Sequence, residues 1–164
     1  MTNGKYLTGV YPGTFDPITN GHLDILKQAL IIFDRVVIAV APNVSKSPLF
    51  SLEERLQMIR QSIDKENGVE VISSEGLTVE LARQVKVQAI IRGIRTGEDL
   101  AAENQMALMN RHLAPELTTI AFFPGEPFAY VSSSLIKEVH KFGGDITHHV
   151  PPAVVKALEE KRGK

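Results

Sequence analysis

Cysteine is absent from the 164 residues, and tryptophan with it. The first absence excludes disulfides, thiolate nucleophiles and Cys-ligated zinc or iron–sulfur centres, and it suits a cytoplasmic protein. No apolar run approaches the ~18 residues needed to span a bilayer. Residues 1–6 are polar and hold no signal-peptide core. Neither sign of charge dominates: 18 Lys and Arg stand against 19 Asp and Glu, a formal net charge of -1. A broad basic face for nucleic acid or an acidic tail is therefore not expected, nor is a membrane partner. Internal repeats, low-complexity tracts and linkers are also missing. What is present is apolar: 43% hydrophobic residues against 23% charged ones, enough for a sizeable core. The length favours one domain, residues 1–164, with 1–5 a flexible extension and 159–164 a frayed C-terminus.

The order of elements is informative. Residues 6–11 read as a strand, followed by a turn-rich loop and a helix from Gly21-His22, with Leu23, Leu26, Leu30 and Phe33 as its apolar stripe. Residues 36–40 form a continuous apolar run, the pattern of a strand buried on both faces. Ser51-Leu52-Glu53-Glu54 is a capping box that opens a helix to about Ser62. Residues 69–72 read as a third strand. Residues 78–85 read as a short helix with Thr78 as N-cap. A fourth strand at 89–91 ends at Arg92-Gly93. A long helix covers 99–113, a fifth strand 119–123. Ser132 or Ser133 caps a helix running to Phe142, where Gly143-Gly144 stops it. Pro151-Pro152 opens the last helix. Five strands alternating with helices predict an α/β fold, a single doubly wound Rossmann-like domain on a five-stranded parallel sheet. Ligands of such sheets bind beyond the carboxyl ends of the strands. The chemically versatile residues lie there: the 13–22 loop, Lys46, Thr78, Arg92 with Arg95, and the 124–134 loop.

The first loop, Tyr11-Pro12-Gly13-Thr14-Phe15-Asp16-Pro17-Ile18-Thr19-Asn20-Gly21-His22, lacks the glycine spacing of a dinucleotide fingerprint or a P-loop. Its Thr-x-Gly-His tetrapeptide sits at a helix start instead. Open N–H groups and the partial positive charge there suit a phosphate, and His22 adds a donor. Three consecutive serines, Ser132, Ser133 and Ser134, open another helix, although capping requires only one. Arg92 and Arg95 end a strand, where their forked guanidinium groups match phosphate oxygens. Glu103, Met106 and Asn110 share a face of the long helix. The Met residues there serve equally as ordinary core.

Pro12-Gly13-Thr14-Phe15-Asp16-Pro17-Ile18-Thr19-Asn20-Gly21-His22 resembles the signature of the bacterial phosphopantetheine adenylyltransferase family, in the Thr/His-x-Gly-His nucleotidyltransferase superfamily. Ser45-Lys46, Phe50-Ser51-Leu52-Glu53-Glu54-Arg55, Ile91-Arg92-Gly93-Ile94-Arg95, Met109-Asn110-Arg111-His112-Leu113 and Val131-Ser132-Ser133-Ser134-Leu135-Ile136-Lys137-Glu138-Val139 resemble further family motifs, in family order. The resemblance covers residues 6–158. It implies transfer of the adenylyl group of ATP to 4′-phosphopantetheine, giving dephospho-coenzyme A and pyrophosphate, the penultimate step of coenzyme A biosynthesis. Attack would be direct and in-line, without a covalent intermediate. A phosphate monoester is largely dianionic near neutral pH, so the attacking oxygen needs no strong base. The protein has to bring two anions together and stabilise charge at the α-phosphate.

The resemblance also implies roles. His22 stabilises the transition state, and Thr14, Lys46 and Arg95 complete the catalytic set. ATP meets Thr14, Phe15, His22, Gly93, Ile94, Arg95, Glu103, Phe128, Ala129, Tyr130, Val131, Ser132, Ser133 and Ser134. Phosphopantetheine meets Thr14, Lys46, Thr78, Arg92, Met106, Met109 and Asn110. Mg2+ is expected with ATP, bound mainly through phosphates and water rather than by a protein metal site. His140, His148 and His149 form no metal set and read as surface or interface residues. A homo-hexamer and feedback by coenzyme A are family properties. The chain departs from the family at Leu100-Ala101-Ala102, which lacks the usual aromatic–acid–aromatic pattern, and Gly97-Glu98 there suggests a mobile segment. Two other functions compete: a related transferase using nicotinate mononucleotide or a sugar or polyol phosphate, and a sensor that binds ATP or coenzyme A without turnover.

Overall fold

The computed structural model describes residues 6–42, 48–64 and 66–162. Its strands are β1 (Thr8–Gly13), β2 (Arg35–Val40), β3 (Val69–Ser73), β4 (Ala89–Gly93) and β5 (Thr118–Phe122). All pair in parallel, in the order β3-β2-β1-β4-β5. Among the described residues, the α-helices are α1 (Asn20–Ile32), α2 (Leu52–Ser62), α3 (Thr78–Gln84), α4 (Gly97–Leu113), α5 (Ser133–Lys141) and α6 (Pro152–Arg162). The expected doubly wound α/β fold is the observed one.

The two-residue period of a strand explains why β2 reads as unbroken apolar sequence. Val36, Ile38 and Val40 enter one core with α1, α2, α5 and α6, whereas Val37 and Ala39 enter a second core with α3. Strands β1 and β4 divide likewise, Tyr11 and Ile91 facing the first core and Val10 and Ile90 the second.

Several boundaries differ from the sequence reading. β1 starts at Thr8 rather than Tyr6, and Pro12-Gly13 belong to it rather than to the turn. The buried stripe of α1 is Ile25, Leu26 and Ala29, with Leu23 and Leu30 only partly covered. Thr78 does not cap α3: the N-cap is Leu77, without a side-chain bond, and Thr78 already has helical geometry. Gly97-Glu98 form the first turn of α4, because the Thr96 hydroxyl accepts from Asp99 N–H. Ser132 is the cap of α5. α6 continues through 159–162, past the expected start of fraying, and Lys161 pairs there with Glu54. A short 3-10 turn at Glu126–Phe128 has no counterpart in the sequence reading.

The sheet also makes the crevice. β1 and β4 lie side by side although two strands separate them in sequence, so the strand order reverses between them. Their pairing stops at Val10↔Ile90. Beyond it, Tyr11–Gly13 and Ile91–Gly93 run on without mutual register. This is the switch point at which open α/β sheets accept ligands.

Candidate active site

A cleft of about 280 Å³ opens at that point. Pro12, Gly13 and Phe15 form one wall, Arg92, Gly93 and Arg95 another, and Gly21, His22 and Ser132 to Ser134 close the top. The walls approach closely at two glycines: a Cβ on Gly93 would lie 2.3 Å from Ile25 Cδ1, and one on Gly13 would lie 2.9 Å from the Phe15 ring.

The Thr-x-Gly-His tetrapeptide is a capping box with histidine in place of the usual Glu or Gln. Thr19 Oγ1 accepts from His22 N–H at 3.4 Å, and Thr19 N–H donates to His22 Nδ1 at 3.0 Å. Nδ1 is therefore an acceptor, so the neutral ring carries its proton on Nε2. Burial, helped by the Arg95 charge, pushes the His22 pKa down to about 4. Near neutral pH the side chain is thus an uncharged Nε2–H donor at the mouth of α1.

The two arginines are held in the same way. Arg92 Nε donates to Glu103 at 2.6 Å, Nη2 binds the same carboxylate, and Nη1 donates to Pro12 O at 2.9 Å across the gap between β1 and β4. Arg95 Nε and Nη2 donate to Asp99, at 3.1 Å and 3.4 Å, and Nη1 donates to Val131 O at 3.1 Å. Each guanidinium spends its Nε edge on an α4 carboxylate and one further hydrogen on a carbonyl. Two N–H groups remain at the far end of each fork. Glu103 and Asp99 thereby set the direction of two cations.

Main-chain donors complete the cleft. Asn20 N–H is taken by His149 O at 2.9 Å. Among the described residues, the N–H groups of Phe15, Gly21, Ser133 and Ser134 donate to no protein acceptor. Two helix N-termini, of α1 and α5, therefore present open donors to one space. The three serines divide their work: Ser132 Oγ caps Leu135 N–H at 3.1 Å, Ser133 Oγ donates to Pro17 O at 2.8 Å, and Ser134 lines the cleft. Behind the first loop, Asp16 accepts from Leu49 N–H, Phe50 N–H and Lys137 Nζ at 3.0, 2.9 and 2.6 Å. Burial alone would raise the Asp16 pKa, but these three donors outweigh it and hold the carboxyl below its ordinary range.

Of the residues expected at the site, Phe15, His22, Arg92, Gly93, Arg95, Glu103, Val131 and the three serines meet in the cleft. Thr14 lies in the same loop with its carbonyl turned inward, and Ile94 is buried beneath. Phe128, Ala129 and Tyr130 adjoin the cleft but do not line it; Tyr130 packs on His149 with ring centroids 5.6 Å apart. Met106 and Met109, both 55% exposed, and Asn110 lie further along α4, and Thr78 lies beyond β3. Lys46 lies outside the described residues. Of the histidines read as surface or interface residues, His148 is exposed, His140 Nε2 meets Leu158 O at 3.1 Å, and His149 Nδ1 is buried without a partner among the described residues. Asp16, Arg55, Asp99 and Lys137 carry structural parts of the site that sequence reasoning left without roles, although Asp16, Arg55 and Lys137 stood inside the quoted motifs. Among the described residues, no group of three or more His, Asp and Glu is placed to hold a metal ion.

Residues 10–139 match the cytidylyltransferase-like family. Phosphopantetheine adenylyltransferase of Thioalkalivibrio sulfidiphilus is 50% identical over 154 residues, 94% of this chain and 97% of that protein. Its counterpart in Opitutus terrae is 49% identical over 150 residues, 92% and 94% of the two chains. That of Alkaliphilus metalliredigens is 46% identical over 153 residues, 93% and 98%. Fold, cleft and end-to-end likeness agree, and the chain belongs to the phosphopantetheine adenylyltransferases of the cytidylyltransferase-like family.

Proposed function

We propose that this cleft transfers the adenylyl group of ATP to 4′-phosphopantetheine, by direct in-line attack of the acceptor phosphate on the α-phosphorus. The observation that carries this reading is the convergence of His22, Arg92, Arg95 and two helix N-termini on one crevice at the switch point. The acceptor arrives as its own nucleophile, so the protein's task is to bind and orient anions and to stabilise the charge that develops. His22 Nε2–H serves the α-phosphate oxygen as a neutral donor. Phe15, Gly21, Ser133 and Ser134 offer N–H groups to the triphosphate. Arg95, tied to Val131 O, couples the phosphate end to the segment that follows Tyr130. Arg92 faces the acceptor, with Thr14 and Lys46 assigned to its phosphate and Thr78, Met106, Met109 and Asn110 to its arm.

Magnesium belongs to this proposal as the companion of ATP. Both α4 carboxylates in the cleft are already paired with arginines, which fits a cation held mainly by phosphate oxygens and water. When bound it neutralises phosphate charge. The proposal extends to a homo-hexamer, to coenzyme A as feedback inhibitor and to a cytoplasmic location. The apolar side chains that α4 leaves exposed, Leu100, Met106, Leu108, Met109 and Leu113, support self-association. No helix among the described residues is long and apolar enough to cross a membrane. The test is a competition: ATP-loaded protein receives equal amounts of 4′-phosphopantetheine, nicotinate mononucleotide and a polyol phosphate. Adenylylated phosphopantetheine as the main product is expected. A different preferred acceptor, or binding of ATP with no product, would overturn the reading.

A further inference from the structure

Three successive residues of the first loop are held from behind. The Thr14 carbonyl accepts from Arg55 Nη1 at 2.7 Å. The Phe15 ring is buried, with Tyr11 and His22 against it at centroid distances of 5.4 and 5.1 Å. The Asp16 carboxylate is gripped by Leu49 N–H, Phe50 N–H and Lys137. Arg55 is itself only 2% exposed. Its other bonds run to Ala41 O at 2.9 Å and Ser51 O at 3.4 Å, so among the described residues it meets carbonyls and no carboxylate directly.

A space-filling role does not account for this side chain. Burying a guanidinium is costly unless its hydrogens are bonded, and an apolar residue would fill the volume without that cost. Its geometry gives a better reason. In a trans peptide the N–H points opposite to the C=O. Drawing the Thr14 carbonyl inward therefore turns the Phe15 N–H outward, toward the cleft that Gly13 and Phe15 line. Phe15 has φ +49°, a left-handed conformation that disfavours a non-glycine residue, so this orientation needs an external hold. Among the described residues the Phe15 N–H has no protein acceptor, as a donor reserved for a ligand would have none.

We propose that Arg55 is a positioning residue for adenylyl transfer: it presets the Thr14–Phe15 peptide so that the Phe15 N–H meets a phosphate oxygen of the nucleotide, and it sets a fixed positive charge behind that peptide. This rests on the reaction proposed above. A preset donor acts on developing charge without reorganising, so its loss reads in turnover more than in acceptor binding.

Arg55→Met keeps the length and removes the hydrogen bonds; Arg55→Lys keeps the charge and can reach one carbonyl. In Arg55→Met, kcat is expected to fall about 10²-fold. KM for 4′-phosphopantetheine should stay within about threefold, and Arg55→Lys should recover part of the loss. A folded Arg55→Met, by circular dichroism, that keeps kcat within about twofold of the parent would overturn the proposal. Should that variant not fold, the 15N-labelled parent decides: inorganic pyrophosphate is expected to move the Phe15 amide proton downfield, and a Phe15 amide unmoved at saturation overturns it. If the parent makes no pyrophosphate from ATP and 4′-phosphopantetheine, the reaction fails as a reading, while the amide experiment still tests the orientation.

Discussion

The loop between β1 and α1 and the helix α4 both carry residues expected to touch substrate, yet the protein holds them in opposite ways. Helix α1, which begins at that loop, buries Gly21, Ile25, Leu26 and Ala29 within 13 residues. Helix α4 buries only Asn110 within 17. The loop is fixed from beneath by Arg55 and Asp16. α4 is fixed at its beginning, by the Thr96 cap and by the Arg92–Glu103 and Arg95–Asp99 pairs, while its later turns face outward. The difference separates two tasks. The loop is a rigid donor array that one chain completes. α4 uses its first turns to aim two arginines, while its later turns leave Met106, Leu108, Met109 and Leu113 exposed.

The largest expected effect strikes where the two regions meet. Arg92→Ala removes the cation that joins Glu103 to Pro12 O and should lower kcat/KM for phosphopantetheine by at least about 10²-fold. Arg92→Lys should recover little, because an ammonium cannot serve Glu103, Pro12 and a phosphate in one plane. Near-normal kinetics in Arg92→Ala would mean that the loop works without α4.

Stability should separate the regions next. Asp16→Asn leaves Lys137 without its counter-charge beside a buried loop and should cost about 3 kcal/mol in urea unfolding. Asp99→Asn breaks a more exposed pair and should cost under about 1 kcal/mol. Equal losses would erase the contrast.

Acid should act through the loop as well. The His22 pKa is about 4 when folded against 6.5 as the ordinary value, so below 6.5 the unfolded chain binds the proton that the folded one refuses. Its contribution to stability is complete above 6.5 and is lost as pH falls toward 4. Histidine Hε1 chemical shifts followed by NMR should show no His22 titration between pH 8 and 5. A midpoint near 6.5 would remove the neutral-donor role. The smallest effect is expected on the outer face of α4. Leu108→Glu, at a side chain 62% exposed, should change the stability of the isolated chain by less than about 0.5 kcal/mol. In sedimentation it should shift the protein toward smaller species; an unchanged assembly would place the interface elsewhere.

Strand positions, the parallel sheet and most of the cleft were legible in the sequence because they depend on local patterns. Val36 to Val40 declare a doubly buried strand by themselves, and Ser51 with Glu54 declares a helix start. The supports were not legible as such, because their partners are distant. Arg55 and Thr14 are 41 residues apart, and Asp16 and Lys137 are 121 apart. Nothing in either segment names the other. Thr78 misled for the converse reason: threonine favours a cap, but the backbone turns one residue earlier, at Leu77. Met106 and Met109 carried two readings, core or substrate contact, and the single chain buries neither.

The central claim is that this cleft joins two phosphates using donors and cations alone. Incubating the purified protein with ATP, magnesium and 4′-phosphopantetheine, and measuring pyrophosphate and dephospho-coenzyme A together, tests it most directly. The account predicts that the two products form in equal amounts. Pyrophosphate no higher than in an enzyme-free control, or pyrophosphate without dephospho-coenzyme A, would contradict it.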